Sequence, residues 1–251
     1  VVNFSMAQAY LRWIFSPRAV REGELAKNAL GVFNRAGLVE PRVFIFEKMG
    51  GAPFTALVTT VPFMQKRFRP AVFISQRLAT QLTSEEVHAV LCHEAAHLKG
   101  RHLNRRLGYA LAWIFGSTLA ASTLLVLSVL VQRASGMAPS ALLPGVLLGV
   151  IAFVLTFRAL GMQSQRQERE ADEVALSQLG ADPEALSQAI IKVNLLQRGE
   201  DAGRRPSPAL FATHPEISDR LAWIRVWEEK QRRADIAART SGAISDPGQA
   251  A

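Results

Sequence analysis

Two histidines and a glutamate pose the first chemical question. His93-Glu94-Ala95-Ala96-His97 has the form HExxH. On a helix, a spacing of four places both imidazoles on one face, about one turn apart, which suits two ligands of a zinc ion. Glu94 stands beside them, where a carboxylate can take a proton from a metal-activated water. A pattern this short can also arise on a solvated helix with polar residues at helical spacing. Val87, Ala89, Val90 and Leu91 argue against that, since they make the helix apolar. Two unsatisfied histidines on a buried helix would be costly.

Tetrahedral catalytic zinc takes a third protein ligand and keeps one position open. Two sources compete for that place. His102 ends the run His97-Leu98-Lys99-Gly100-Arg101-His102, but the metzincin extension HxxGxxH needs histidine at 103, where Leu103 stands. His102 is one residue out of register and is not expected to bind metal, nor its removal to lower zinc occupancy. The second source is Glu168, in Glu168-Arg169-Glu170-Ala171-Asp172. Glu168 and Asp172 are four apart and face the same way on a helix. One can bind the metal while the other orients a ligand histidine. Without HExxH upstream, this segment would read as a charged, solvated helix.

These side chains need elements to hold them. Thr83-Ser84-Glu85-Glu86 is a capping box that opens a helix running to about Lys99 and carrying HExxH. Residues 42–47, 55–61 and 71–75 are short β-branched and aromatic runs bounded by Gly or Pro, and are predicted as strands. Residues 1–40 read as helical, with 19–30 rich in good helix formers. A helix carrying Glu168 and Asp172 should run to Leu179, with Gly180 as its C′ residue. Asp182-Pro183 starts the next, whose Leu186, Ala189, Ile190, Val193 and Leu196 form one apolar stripe. A last helix is expected from about Glu216 towards Arg239.

Between the two chemical motifs lie two uncharged runs, 108–131 and 134–157. A membrane helix needs about 20 mostly apolar residues, so the first run is long enough to span. The second spans if it uses nearly all its length, the two forming a helical hairpin. The alternative is a buried helical hairpin in a soluble protein. Lys99, Arg101, Arg105 and Arg106 precede the first run, and Arg158, Arg166 and Arg169 follow the second, against Arg133 alone at the tip. Basic flanks favour the cytoplasmic side, so both ends should be cytoplasmic and the tip outside. This accounts for part of the net charge of +8 in the 251 residues. Basic residues are not interleaved with aromatics, so nucleic acid is not an expected partner. A single cysteine, Cys92, excludes a disulfide framework and a Cys-rich zinc site. Residues 1–10 carry no charged segment followed by a long apolar run, so no secretory signal is expected there.

HExxH, then the ExxAD of 168–172, then Thr213-His214-Pro215 with Arg220-Leu221-Ala222, resemble the HtpX and CAAX-prenyl-endopeptidase family of zinc metallopeptidases. The strand and capped helix of 73–86 resemble the family's lead-in to its zinc motif, and a membrane hairpin between HExxH and ExxAD is likewise a family feature. The resemblance implies that His93, His97 and Glu168 bind Zn2+, that Glu94 is the catalytic base, and that Asp172 stands behind the ligands. It also implies that His214 steadies the oxyanion, with Arg220 as the family's arginine. One stretch departs from the family: Gly51-Ala52-Pro53-Phe54 stands where an Asn-Ala-Phe-like strand segment pairs with substrate. The expected fold is mainly α with a small β-sheet, an α+β zincin-like metallopeptidase. Its expected parts are an N-terminal catalytic portion (1–107), a transmembrane hairpin (108–157), a C-terminal catalytic portion (158–239) and a disordered tail (240–251). The implied activity is endopeptidase cleavage of polypeptides in protein quality control, at the inner membrane with the catalytic part on the cytoplasmic side. The competing readings are a zinc-stabilised membrane adaptor or holdase without activity, which has no need of Glu94, and a prenyl-protein endopeptidase, whose architecture has many more spans.

Overall fold

The computed structural model describes residues 17–47, 56–60, 69–135, 143–200 and 215–244. The readings for residues 1–16, for 51–54, for Thr213 and His214, for the hairpin tip at 136–142 and for the end of the tail lie outside the described residues.

Four strands, β1 (Arg18–Val20), β2 (Arg42–Phe46), β3 (Ala56–Thr59) and β4 (Ala71–Ser75), form one mixed sheet in the order β1-β2-β4-β3. The two central strands run parallel, with Val43 opposite Val72 and Ile45 opposite Ile74. The outer strands are antiparallel to their neighbours, and among the described residues β3 stands at one end of the sheet. Side chains alternate between the two faces. Val43, Val72 and Ile74 join the main core, while Phe44, Phe46, Ala71 and Phe73 form a second cluster in which the Phe44 and Phe73 rings stack 5.0 Å apart.

The helical reading of residues 19–30 needs a correction at its start. Arg18–Val20 is a strand, and α1 (Glu24–Arg35) begins only after Gly23. Pairing with β2 overrides the local helix preference of these residues. The other helices are α2 (Gln76–Gln81), α3 (Ser84–Lys99), α4 (His102–Ser135), α5 (Leu143–Gln178), α6 (Pro183–Glu200) and α7 (Ile217–Ile244).

Local signals set the ends of the helices around the site. Thr83 accepts from the Glu86 backbone, and Glu86 accepts from Thr83 N at 2.9 Å, so the capping box is closed. The same Glu86 carboxylate receives Lys192 of α6 at 2.7 Å. Gly180, at φ +77, ends α5 with Ala181 N donating to Ala175 O. Asp182 then caps α6 by accepting from Ala185 N at 2.8 Å.

α3 is central, with α1, α5 and α6 all packed against it. Its contact with α5 is lined by small residues, including the fully buried Ala95 and Ala96 against Ala171 and Ala175. Interaxial distance follows side-chain size, so these alanines bring the two helices close enough for their polar groups to meet. α7 docks through buried Ile224 and through Trp223, whose ring lies 5.5 Å under the Arg169 guanidinium.

Away from this body, α4 carries its apolar residues into the open. Phe115 is 70% exposed and Leu119 71%. Among the described residues one helix, His102–Ala134, is long and apolar enough to cross a membrane, with mean hydropathy 2.1. It packs against α5, whose Phe153 and Leu155 are also exposed. Among the described residues, neither helix buries these apolar side chains.

Candidate metal centre

The alanine contact between α3 and α5 fixes where their polar side chains go. His93 and His97 project from α3, and Glu168 and Asp172 from the facing turn of α5. The Nε2 atoms of His93 and His97 lie 3.0 Å apart. Oxygens of the Glu168 carboxylate lie 3.5 Å from the first and 3.6 Å from the second. Three donor groups within 4.8 Å of one another thus face one point. Zinc ligands at about 2.0–2.1 Å in tetrahedral geometry stand about 3.3–3.4 Å from each other, which these separations bracket.

The outer contacts decide which lone pairs face that point. Nδ1 of His93 lies 2.8 Å from Oδ1 of Asp172, which turns its Nε2 towards Glu168. Asp172 is fully buried and is itself gripped by Arg220, with Nε donating at 2.9 Å and Nη2 at 2.6 Å. Burial opposes charge on both members of the His93–Asp172 pair. Asp172 and Glu168 nevertheless raise His93 to a pKa of about 10, while His93 and Arg220 hold Asp172 below the usual carboxylate range. Burial, with the charge on His93, drives His97 down to about 2. The cluster therefore holds one positive charge among its donors, a place that a proton and a metal cation would compete for.

Glu94 lines the same cleft as the donor group. Burial raises its carboxyl to about 7, and Glu168 adds to the rise, while a backbone hydrogen bond from Val58 works the other way. β3 therefore passes beside Glu94. Ala56, Leu57 and Val58 form one wall of a cleft of about 570 Å³ that contains His93, Glu94, His97 and Glu168, and Leu186, Ala189 and Ile190 of α6 form another. A peptide laid along β3 would bring a carbonyl to the donor cluster and an apolar side chain to α6.

The structure thus brings together five of the residues singled out above: His93, His97, Glu94, Glu168 and Asp172. Arg220 joins them through Asp172, with its Nη1 4.0 Å from Glu168. His102 is outside the donor group, as its register implies, but it is not a bystander. Its Nδ1 lies 2.7 Å from Nδ1 of His97. Arg106, read as part of a basic flank, reaches Glu168 at 3.3 Å and Gln167 at 2.5 Å. Spacing alone does not reveal these contacts, because α4 starts after a sharp turn at Arg101, φ 52. The signal that was available is the presence of a histidine and two arginines in the first turns of an otherwise apolar helix.

Known proteins resemble this chain in sequence and in fold. The sequence model of Peptidase family M48 matches residues 60–228. A protease HtpX homolog of Bordetella avium is 29% identical over 223 residues, covering 82% of this chain and 71% of that protein. Another, of Methanopyrus kandleri, is 26% identical over 218 residues, covering 76% of this chain and 63% of the relative. Among solved structures, the crystal structure of S. mikatae Ste24p matches with a TM-score of 0.57 at 18% identity, covering 86% of this chain and 53% of that one. At that identity the likeness is one of fold, and the chain spans about half the length of Ste24p.

Proposed function

The chain belongs to peptidase family M48, and from that premise we propose that it is a zinc-dependent, membrane-bound endopeptidase that cleaves protein substrates in protein quality control. The observation that carries this reading is the convergence of His93 Nε2, His97 Nε2 and the Glu168 carboxylate beside a glutamate whose pKa is raised to about 7. In this reading those three residues hold the ion. Bound there, zinc supplies Lewis-acid polarisation of a carbonyl and acidifies a water. Glu94 takes the proton of the attacking water and delivers it to the leaving amine, work suited to a carboxyl that titrates near neutrality. Asp172, fixed by Arg220, keeps His93 turned towards the cluster. His214 is assigned to the developing oxyanion by the family resemblance. Substrate aligns along β3 in the cleft beside Glu94, by a strand-pairing mode tolerant of sequence and so suited to damaged or unfolded chains.

The exposed apolar face of α4 supports insertion in a bilayer, with the hairpin tip outside and the metal site on the cytoplasmic side of the inner membrane. Labelling of intact cells with an impermeant thiol reagent tests this, using Ser135→Cys and Ser241→Cys in a Cys92→Ser background. Label on the tip and none on the tail is expected, and label on the tail alone would invert the topology. For the ligand set the test is metal analysis. The purified chain should hold zinc in about equimolar amount, and Glu168→Ala should lose it. Retention of zinc by Glu168→Ala would remove Glu168 from the set.

A further inference from the structure

The turn between α3 and α4 has an unexpected distribution of glycine. The left-handed position, where glycine is the favoured residue, is held by Arg101 at φ 52. Gly100, one residue earlier, has φ −73 and ψ −5, a right-handed conformation open to any residue. What requires glycine at 100 is the ring of His102. A Cβ there would lie 2.4 Å from Nε2 of His102 and 2.7 Å from its Cδ2, closer than van der Waals contact allows. The His102 ring is 2% exposed, so it has little room to yield. Backbone and side chain together clamp this imidazole in one place, and there its Nδ1 lies 2.7 Å from Nδ1 of His97.

From this clamp we propose that His102 is the positioning residue of His97, and that Gly100 exists to let it reach there. The proposal rests on the reading of His93, His97 and Glu168 as metal ligands. The hydrogen bond between two imidazoles has two possible directions, and only one is useful. If His97 donates from Nδ1, its Nε2 carries a lone pair towards the donor cluster. If His102 donates instead, His97 must carry its proton on Nε2, where it would point at His93. The environment selects the first. Nε2 of His102 makes no hydrogen bond among the described residues and faces the Glu170 carboxylate at 3.5 Å. A negative charge on that side favours the proton on Nε2, which leaves Nδ1 to accept from His97. Arg105 holds Glu170 in place with Nη1 at 2.9 and 2.8 Å from its two oxygens. Since His102 and Arg106 both belong to the first turns of α4, the base of the apolar helix touches two of the three donor residues.

The test compares four forms of the full chain: wild type, His102→Phe, His102→Asn and Gly100→Ala. Zinc affinity is measured by competition with a chromophoric chelator, the ligand field by the absorption of the cobalt(II) form, and folding by thermal melting without metal. His102→Phe should weaken zinc binding by about 10- to 100-fold, the usual cost of losing a contact behind a metal-bound histidine. Asn Oδ1 can stand where the imidazole Nδ1 accepts, so His102→Asn should recover most of the affinity. Gly100→Ala should also weaken zinc binding and alter the cobalt spectrum. Its metal-free melting point should fall as well, because the buried His102 ring has little room to yield to the new Cβ. The recovery of affinity in His102→Asn over His102→Phe is what separates positioning from packing. Wild-type affinity in both His102→Phe and Gly100→Ala would overturn the proposal, as would His102→Asn being no better than His102→Phe. If the wild-type chain itself takes up no zinc, the ligand reading fails first and this proposal fails with it.

Discussion

The two histidines of the HExxH helix are braced in unlike ways. His93 leans on a buried carboxylate, which is itself clamped by an arginine from the far end of the chain. His97 leans on a neutral imidazole that arrives five residues later, at the base of the next helix. A charged brace fixes orientation strongly, but it also gives His93 a high affinity for a proton, with a pKa of about 10. On the other side, burial and the charge on His93 leave His97 unprotonated, at about 2. One side of the site is thus ordered by long-range ion pairing and the other locally. In the proposed function, the first supplies negative charge to attract a cation and the second a lone pair to receive it.

Breaking the charged brace should have the largest effect. Asp172→Ala removes the partner of a largely buried Arg220 and frees the His93 ring. It should cost about 3–5 kcal/mol of stability, since a buried charge is left unpaired, and also weaken zinc binding by about 10- to 100-fold. Denaturant unfolding and chelator competition measure the two losses. A variant that lost affinity but no stability would show that Arg220 finds other partners, and the two braces would then differ less than the structure indicates.

His214→Phe sharpens the comparison from outside both braces. In the proposed mechanism it acts only on the transition state, so kcat should fall about a hundredfold or more while zinc content stays at the wild-type level. Loss of zinc would make His214 a ligand. At the small end stands Glu170→Gln. Glu170 and Arg105 are both 43% exposed, and solvent-exposed pairs contribute roughly 0–1 kcal/mol. The amide still accepts a hydrogen bond, so zinc affinity should fall only by about threefold or less in the same chelator assay. A drop as large as that of Asp172→Ala would mean that the His97 side is also governed by charge.

The legibility of this chain in sequence follows the range of each interaction. HExxH and the Glu168–Asp172 pair could be read because ligands on one helical face must repeat at helical spacing. Thr83, Glu86, Gly180 and Asp182 could be read because capping is settled within a few residues. β1 was hidden, since three residues carry little β signal and Arg18–Val20 gains its structure from a partner more than twenty residues away. His102 stands one residue out of a ligand register, and register says nothing about contact with a neighbouring side chain. Gly100 gave no signal because its requirement is spatial, a ring that occupies the place of a methyl group. Arg105 and Arg106 were read only as membrane-flanking charge, yet both are engaged by carboxylates of α5. Charge counts treat cations alike, whatever they touch.

Glu94→Gln in the purified, zinc-loaded chain tests the central claim most directly, with casein hydrolysis and zinc content measured on the same preparation. Glutamine keeps the size and polarity of the side chain but cannot accept the proton of the attacking water. The account predicts wild-type zinc and loss of cleavage in the variant. Cleavage near the wild-type rate with zinc retained would contradict the assignment of Glu94 as the base, and with it the mechanism built on this site.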